Sequence, residues 1–408
     1  MFTAIETIPR EELELRWARC RAMLETHAPE ADGLLAFSRV NLYYLTGHLA
    51  NGLFWLPKNG EPVLLCRKGI ERARLESSVT HIAEYRSYKD VKGLLAEAGS
   101  PLGKTVGVQM DGLPWSFGLK LQETLNGETR LVPADFALTM ARVKKTEWEL
   151  VKMRLCGARH HKALYELLPG MIHPGMSERE ISHKAWEAFF SLGHGGPLRM
   201  GNFGEECFLG HVSAGDSGNY PSVFNGPVGI RGEHPAVPFM GYAGQLWKMG
   251  EPLACDIGFC LEGYVTDKTQ SYWAGPKTSI PDDVRRGHDF CVEMQAWLAE
   301  RMLPGVLPQD LYNQVMEEAA RRGMGEGFMS LGKNKVVFLG HGIGLVIDEF
   351  PAIADRIKTP LEEGMVFALE PKFGVPGLGM VGVENTFEVT AAGAKCITGS
   401  AYDILCIE

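Results

Sequence analysis

Four carboxylates in the second half of this 408-residue chain stand where strands bury their side chains. Buried like charges this close are costly unless a cation neutralises them, so they limit how the chain can fold. Asp256 lies in LACDIGFCLEG and Asp267 in YVTDKTQSYW. Glu370 ends the run MVFALE, directly before Pro371, and Glu384 sits inside VGVENTFEVT. A hairpin folded about Leu261–Gly263 would set the two aspartates side by side. The segment FLGHGIGL adds His341 among three glycines, which let backbone approach a ligand closely. Taken singly, each residue has an ordinary reading as a solvated turn aspartate, a satisfied core histidine or a surface glutamate. Taken together, the acids carry about four negative charges, which two divalent ions would match. Carboxylate and imidazole ligands suit Mn, Co, Zn or Fe. Paired ions of this kind turn a shared water into a hydroxide nucleophile.

The first part of the chain alternates strands and helices. Residues 11–26 space apolar positions at helical period, LLAF (34–37) reads as a strand, and VNLYYLTG (40–47) reads as a strand or turn. LFWLP and EPVLLC flank Lys58-Asn59-Gly60, a hairpin signal, and KTVGVQM (104–110) reads as a buried strand. A charged segment, RVKKTEWELVK (142–152), opens a long helix, and the domain boundary is expected near residue 145. Ser177 with Glu180 forms a capping-box signature, and Pro304-Gly305 precedes a second helix much as Pro174-Gly175 precedes the first. This spacing hints at a duplicated half-domain. Residues 193–250 are Gly-rich and of low periodicity, which marks a functional or partner-binding insertion.

The segments DIGFCLEGYVTD, GHGIGL, LEP and GVENT resemble the metal-binding segments of the pita-bread metallopeptidase family, which includes methionine aminopeptidase, Xaa-Pro aminopeptidase, prolidase and creatinase. NLYYLTG and GEPVLL resemble the creatinase/prolidase N-terminal domain. The resemblance implies an α/β (α+β) chain. A small α/β N-terminal domain over 1–145 would precede a pita-bread catalytic domain over 146–408. It implies two divalent metal ions: Asp256 on one, Asp267 and Glu384 bridging, His341 and Glu370 on the other. Glu370 would also shuttle a proton from water to the leaving amine. Thr269 and Thr386, each two residues past a ligand, are candidate supports or ordinary strand threonines. Family members with this N-terminal domain are usually dimers, so a homodimer is expected.

The chain departs from the family at two positions. Proline-specific members carry a histidine in a loop that matches SAGDSGNYPS, where Ser222 stands, and another after the Gly-rich histidine segment, where Asp348 stands. Those histidines bind the scissile carbonyl and its tetrahedral intermediate, which an ionised aspartate cannot do. His211 and His234 lie in the Gly-rich region and are candidates to substitute, or are plain loop histidines. Asp348-Glu349 resembles a lyase branch of the same fold, in which an aspartate is the base.

Three functions therefore compete. The first is hydrolysis of short peptides with proline in second position, as a dipeptidase or aminopeptidase. The second is an amidohydrolase or metal-dependent lyase acting on a small metabolite. The third is a binding module that has lost catalysis, which retention of all five ligand types disfavours. Net charge of −9 argues against nucleic acid as a partner. The N-terminus lacks an apolar signal region, and no apolar run of membrane-spanning length occurs. Nine scattered cysteines read as reduced thiols, so a cytoplasmic location away from membranes is expected.

Overall fold

Helical spacing near the N-terminus becomes α1 (Arg10–His27) in a computed structural model that describes residues 2–125, 127–202 and 204–408. Two compact units result, Met1–Arg142 and Val143–Glu408, each described by itself.

The first unit is a mixed sheet in the order β4-β3-β2-β1-β5-β6. Its strands are β1 (Gly33–Ala36), β2 (Asn51–Pro57), β3 (Val63–Lys68), β4 (His81–Glu84), β5 (Thr105–Val108) and β6 (Arg130–Pro133). The hairpin expected at Asn59-Gly60 joins β2 to β3, with Trp55 opposite Val63. Besides α1, its helices are α2 (Arg39–Thr46), α3 (Ile70–Glu76), α4 (Tyr88–Glu97), α5 (Trp115–Thr124) and α6 (Asp135–Val143). The reading of 40–47 as strand or turn is corrected, because this segment is α2. Its β-prone residues are overridden by its ends. Ser38 accepts from the Asn41 amide, and Gly47 closes the helix at φ 73°.

The second unit opens with α7 (Glu147–His161), whose cap Thr146 and Glu149 form a capping box. α8 (Glu178–Ser191) follows, with the expected capping box of Ser177 and Glu180. The Gly-rich stretch contains a small hairpin of β7 (Pro197–Arg199) and β8 (Glu206–Phe208), and then β9 (Gly210–Ala214). Buried Glu178 anchors this region by accepting from the amides of Ala214 and Tyr242.

β9 edges a sheet ordered β19-β11-β10-β9, with β10 (Pro252–Leu261), β11 (Tyr264–Ala274) and β19 (Leu405–Ile407). Period-two alternation splits β10 between two environments. Leu253, Cys255, Ile257 and Phe259 pack into an apolar cluster with Cys156, Ala185 and Phe189 from α7 and α8, while Asp256 and Gly258 face the other way. Each large side chain in that cluster stabilises the fold by about 1.5–3 kcal/mol.

A second sheet follows α9 (Asp282–Arg301) and α10 (Pro308–Arg321) and runs β13-β12-β14-β17-β18. Its strands are β12 (Phe338–Gly342), β13 (Glu349–Ala354), β14 (Val366–Leu369), β17 (Asn385–Thr390) and β18 (Gly393–Cys396). Between β14 and β17 lies a hairpin of β15 (Lys372–Val375) and β16 (Gly379–Gly382). This arrangement is the mixed α/β architecture the sequence implied. All nine cysteines are unpaired, and no described helix is long and apolar enough to cross a membrane.

Candidate metal centre

The β10–β11 hairpin turns at Glu262-Gly263, as the spacing of its aspartates predicted. Its register puts Asp256 opposite Thr269 and Asp267 opposite Gly258, so the two carboxylates are diagonal neighbours on one face. The missing Cβ at Gly258 leaves that face open, because one built there would meet Leu198 at 2.6 Å. His341 comes from β12, Glu370 from the end of β14, and Glu384 from the break between β16 and β17. All five residues expected as ligands line one cavity of about 340 Å³ within the second unit. Asp267, Glu370 and Glu384 are buried and His341 is half-buried.

His341 sits 3.6 Å from Glu370 (Nε2–Oε1) and 3.9 Å from Glu384 Oε1. Its Nδ1 is 3.1 Å from the Gly342 carbonyl, which can only accept, so Nδ1 donates there and Nε2 is the ring atom that faces the two carboxylates. Ligand atoms of Asp267, His341 and Glu384 all lie within 4.8 Å of one another, so this donor set fits a divalent ion.

The Asp256 side differs. The Thr269 hydroxyl lies 2.6 Å from Asp256 Oδ1 and 3.1 Å from Glu384 Oε2. Lys372, fully buried at the start of β15, donates to the same Oε2 at 2.9 Å. Burial alone would discharge this ammonium, yet Glu384, Asp256 and Glu370 outweigh it and hold its pKa above the usual lysine value. Lys268 shows the contrast. It is equally buried but bonded to the neutral amide of Asn385, and burial lowers its pKa to about 8. Residues two apart share a strand face, so Lys372 follows Glu370 onto the carboxylate side. That alternation was available in LEPKF, and sequence reasoning passed over it.

Burial raises the carboxyls of Asp267, Glu370 and Glu384 well above their ordinary values, and neighbouring carboxylates add to the rise. Asp256 is half-buried, and although desolvation works to raise its pKa, Lys372 leads the groups that bring it below its ordinary value. Direct hydrogen bonding would put Lys372 with Glu384 rather than Asp256. The two acids share Thr269 and act as one pair, on which the ammonium fixes a negative charge.

His211 lies opposite Asp256 in the ladder, lines the cavity and packs its ring at a tilt against Phe224, with centroids 5.0 Å apart. Burial lowers its pKa, which favours the neutral ring. His234 is exposed and is not among the lining residues. Ser222, read at the position of the family's loop histidine, is not among the residues that line the cavity. Its hydroxyl accepts from the Phe224 amide in a local turn, and the residues of this loop that line the cavity are Phe224, Asn225 and Gly226. Thr386 supports the backbone of Asp267 by hydrogen bonds to its N–H and carbonyl, each 2.9 Å.

Asp348 also lines the cavity. It accepts from the Gly201 amide, and burial raises its pKa. The adjoining wall is braced by Glu349, which pairs with buried Lys145 at 2.9 Å and accepts from the amides of Leu345 and Val346 at 3.1 and 3.3 Å.

Comparison with known proteins agrees with this geometry. The family model for metallopeptidase family M24 matches residues 151–391, and that for the creatinase/prolidase N-terminal domain matches residues 16–144. A probable dipeptidase PepE of Mycobacterium tuberculosis is 25% identical over 388 residues, covering 92% of each chain. A Xaa-Pro dipeptidase of Pyrococcus horikoshii is 23% identical over 380 residues, covering 92% of this chain and 94% of the relative. Among solved structures, a Xaa-Pro dipeptidase from Bacillus anthracis superposes with a TM-score of 0.79 at 21% identity, over 97% of this chain and all of the other. The two-unit architecture, the convergent donor set and the match to more than half of the chain lead to one conclusion: this chain is a metallohydrolase belonging to metallopeptidase family M24.

Proposed function

We propose that this enzyme hydrolyses an amide bond in a short peptide with proline in second position and releases the N-terminal residue. The observation that carries this reading is the convergence of Asp256, Asp267, His341, Glu370 and Glu384 on one cavity of about 340 Å³. That volume falls at the lower end of small-ligand sites, roughly 300–1,000 Å³, and suits a dipeptide.

Asp267, His341, Glu370 and Glu384 would hold a divalent ion, with Mn, Co, Zn and Fe all compatible with the donors. When bound, such an ion supplies Lewis-acid activation of water and of the scissile carbonyl. The chain's own residues do the rest. Glu370, its pKa raised by burial, takes up a proton and returns it to the leaving amine. His211, neutral through burial, and the Asn225 amide supply hydrogen-bond donors in the cavity for the carbonyl oxygen.

A second reading rests on Asp348. A partly desolvated carboxyl in the cavity wall suits a general base in an amidohydrolase or lyase acting on a small metabolite. A panel of Xaa-Pro dipeptides assayed with added Mn or Co tests both readings. The peptidase reading expects cleavage that His341→Ala abolishes. If wild type cleaves none of the panel, that reading fails and the Asp348 reading takes its place.

A further inference from the structure

Glu384 is the residue at which the centre divides. Its Oε1 faces His341 Nε2 at 3.9 Å, while its Oε2 accepts from Lys372 Nζ at 2.9 Å. Thr269 stands on the Lys372 side, between that same oxygen and Asp256 Oδ1. A carboxylate that bridges two cations presents one oxygen to each. Here the second oxygen already meets a positive charge that the chain itself provides.

The ammonium does not touch solvent. Lys372 is 0% exposed, and Gly382 lies opposite it in the β15–β16 ladder. Gly382 has φ 126°, and a Cβ there would come within 2.7 Å of the Lys372 Cα, so the backbone is shaped to seat this residue closely. An ion on the Asp256 side would need Glu384 Oε2 as well as Asp256, and that oxygen already accepts from both the ammonium and the Thr269 hydroxyl. A protonated lysine offers three donors and no lone pair, so it can only repel such an ion.

We propose that the Lys372 ammonium occupies the second cation position, so that the chain binds one divalent ion, at Asp267, His341, Glu370 and Glu384, rather than two. This inference rests on the metal-centre reading above and revises the ion count that the carboxylates alone suggest. Four carboxylates then face three positive charges, two from the imported ion and one from Lys372. The Asp256 side becomes a fixed electrostatic element that needs no loading.

The test uses the full-length protein, stripped with chelator and titrated with Mn(II). Wild type is expected to take up one Mn per chain by calorimetry and to give the electron paramagnetic resonance spectrum of an isolated ion. Lys372→Ala is expected to take up two and to give the spectrum of an exchange-coupled pair. Two coupled ions in wild type would overturn the role of Lys372 and leave the metal centre standing, and so would a folded Lys372→Ala protein that still binds one. No uptake by wild type would overturn both. Should Lys372→Ala fail to fold, anomalous scattering from Mn-loaded wild-type crystals decides the matter: one peak beside His341 supports the proposal, and a second beside Asp256 overturns it.

Discussion

The two sides of Glu384 meet the same electrostatic problem differently. On the Asp256 side, a buried lysine and a threonine hydroxyl answer the charge from within the chain. On the His341 side, no lysine or arginine ion pair among the described residues reaches Asp267 or Glu370, and a histidine Nε2 faces the carboxylates. Titration follows the same division, with Asp256 held below its ordinary value and Asp267 and Glu370 pushed well above theirs. Carboxylates in one cavity thus acquire opposite behaviour according to whether their cation is built in or must be imported.

The largest expected effect joins the two sides. Glu384→Ala removes an oxygen from each, and hydrolysis should fall by at least about 1,000-fold, the upper range for loss of one electrostatic element in a preorganised site. Steady-state kinetics with metal analysis would check this. A variant that kept both turnover and metal would show that Glu384 does not connect the two sides.

Next comes removal of the imported cation. Chelation should lower unfolding free energy by about 3–4 kcal/mol when the ion had been present at 100 to 1,000 times its dissociation constant. Calorimetric melting before and after verified metal removal measures it. Superimposable curves would mean that the His341 side has no need of a cation.

Asp348 stands beyond this division, in the cavity wall. If it acts as a base, Asp348→Asn should cost about 100-fold in kcat and leave metal content unchanged. Full activity in that variant would reduce Asp348 to a wall residue.

The last effect is a pH trend in the chelated protein. Asp267, Glu370 and Glu384 have folded-state pKa values raised above the unfolded value of about 4, so between these limits the native state holds more protons than the unfolded chain. Stability should therefore fall as pH rises from 5 to 7, by about 1.4 kcal/mol for each pH unit over which one of these groups stays protonated only in the folded state. Asp256 contributes with the opposite sign, and its share is lost only as pH drops below about 4. Denaturant titrations at both pH values decide, and a chelated protein that gains stability toward pH 7 would locate the repulsion elsewhere.

The acids in apolar runs were legible because the cost of burying charge can be read from neighbours alone. The hairpin joining Asp256 to Asp267 followed from a turn between two strand-like segments. Lys372 was not read, because attention went to ligand types and a lysine is not one. Only strand alternation ties it to Glu370. Segment 40–47 was misread because aromatic and β-branched composition spoke for a strand, whereas Ser38 and Gly47 at its borders decided for a helix. That Asn225 lines the cavity and Ser222 does not was not legible, because the course of a loop depends on tertiary contacts that no local pattern encodes.

The brace formed by Lys145 and Glu349 has a consequence for selectivity. With the 345–349 backbone already fastened, that wall has little conformational freedom left to lose when a ligand enters. Such a cavity sorts molecules by outline: one that fits enters in a single kinetic phase, and one carrying an extra branch is turned away rather than accommodated.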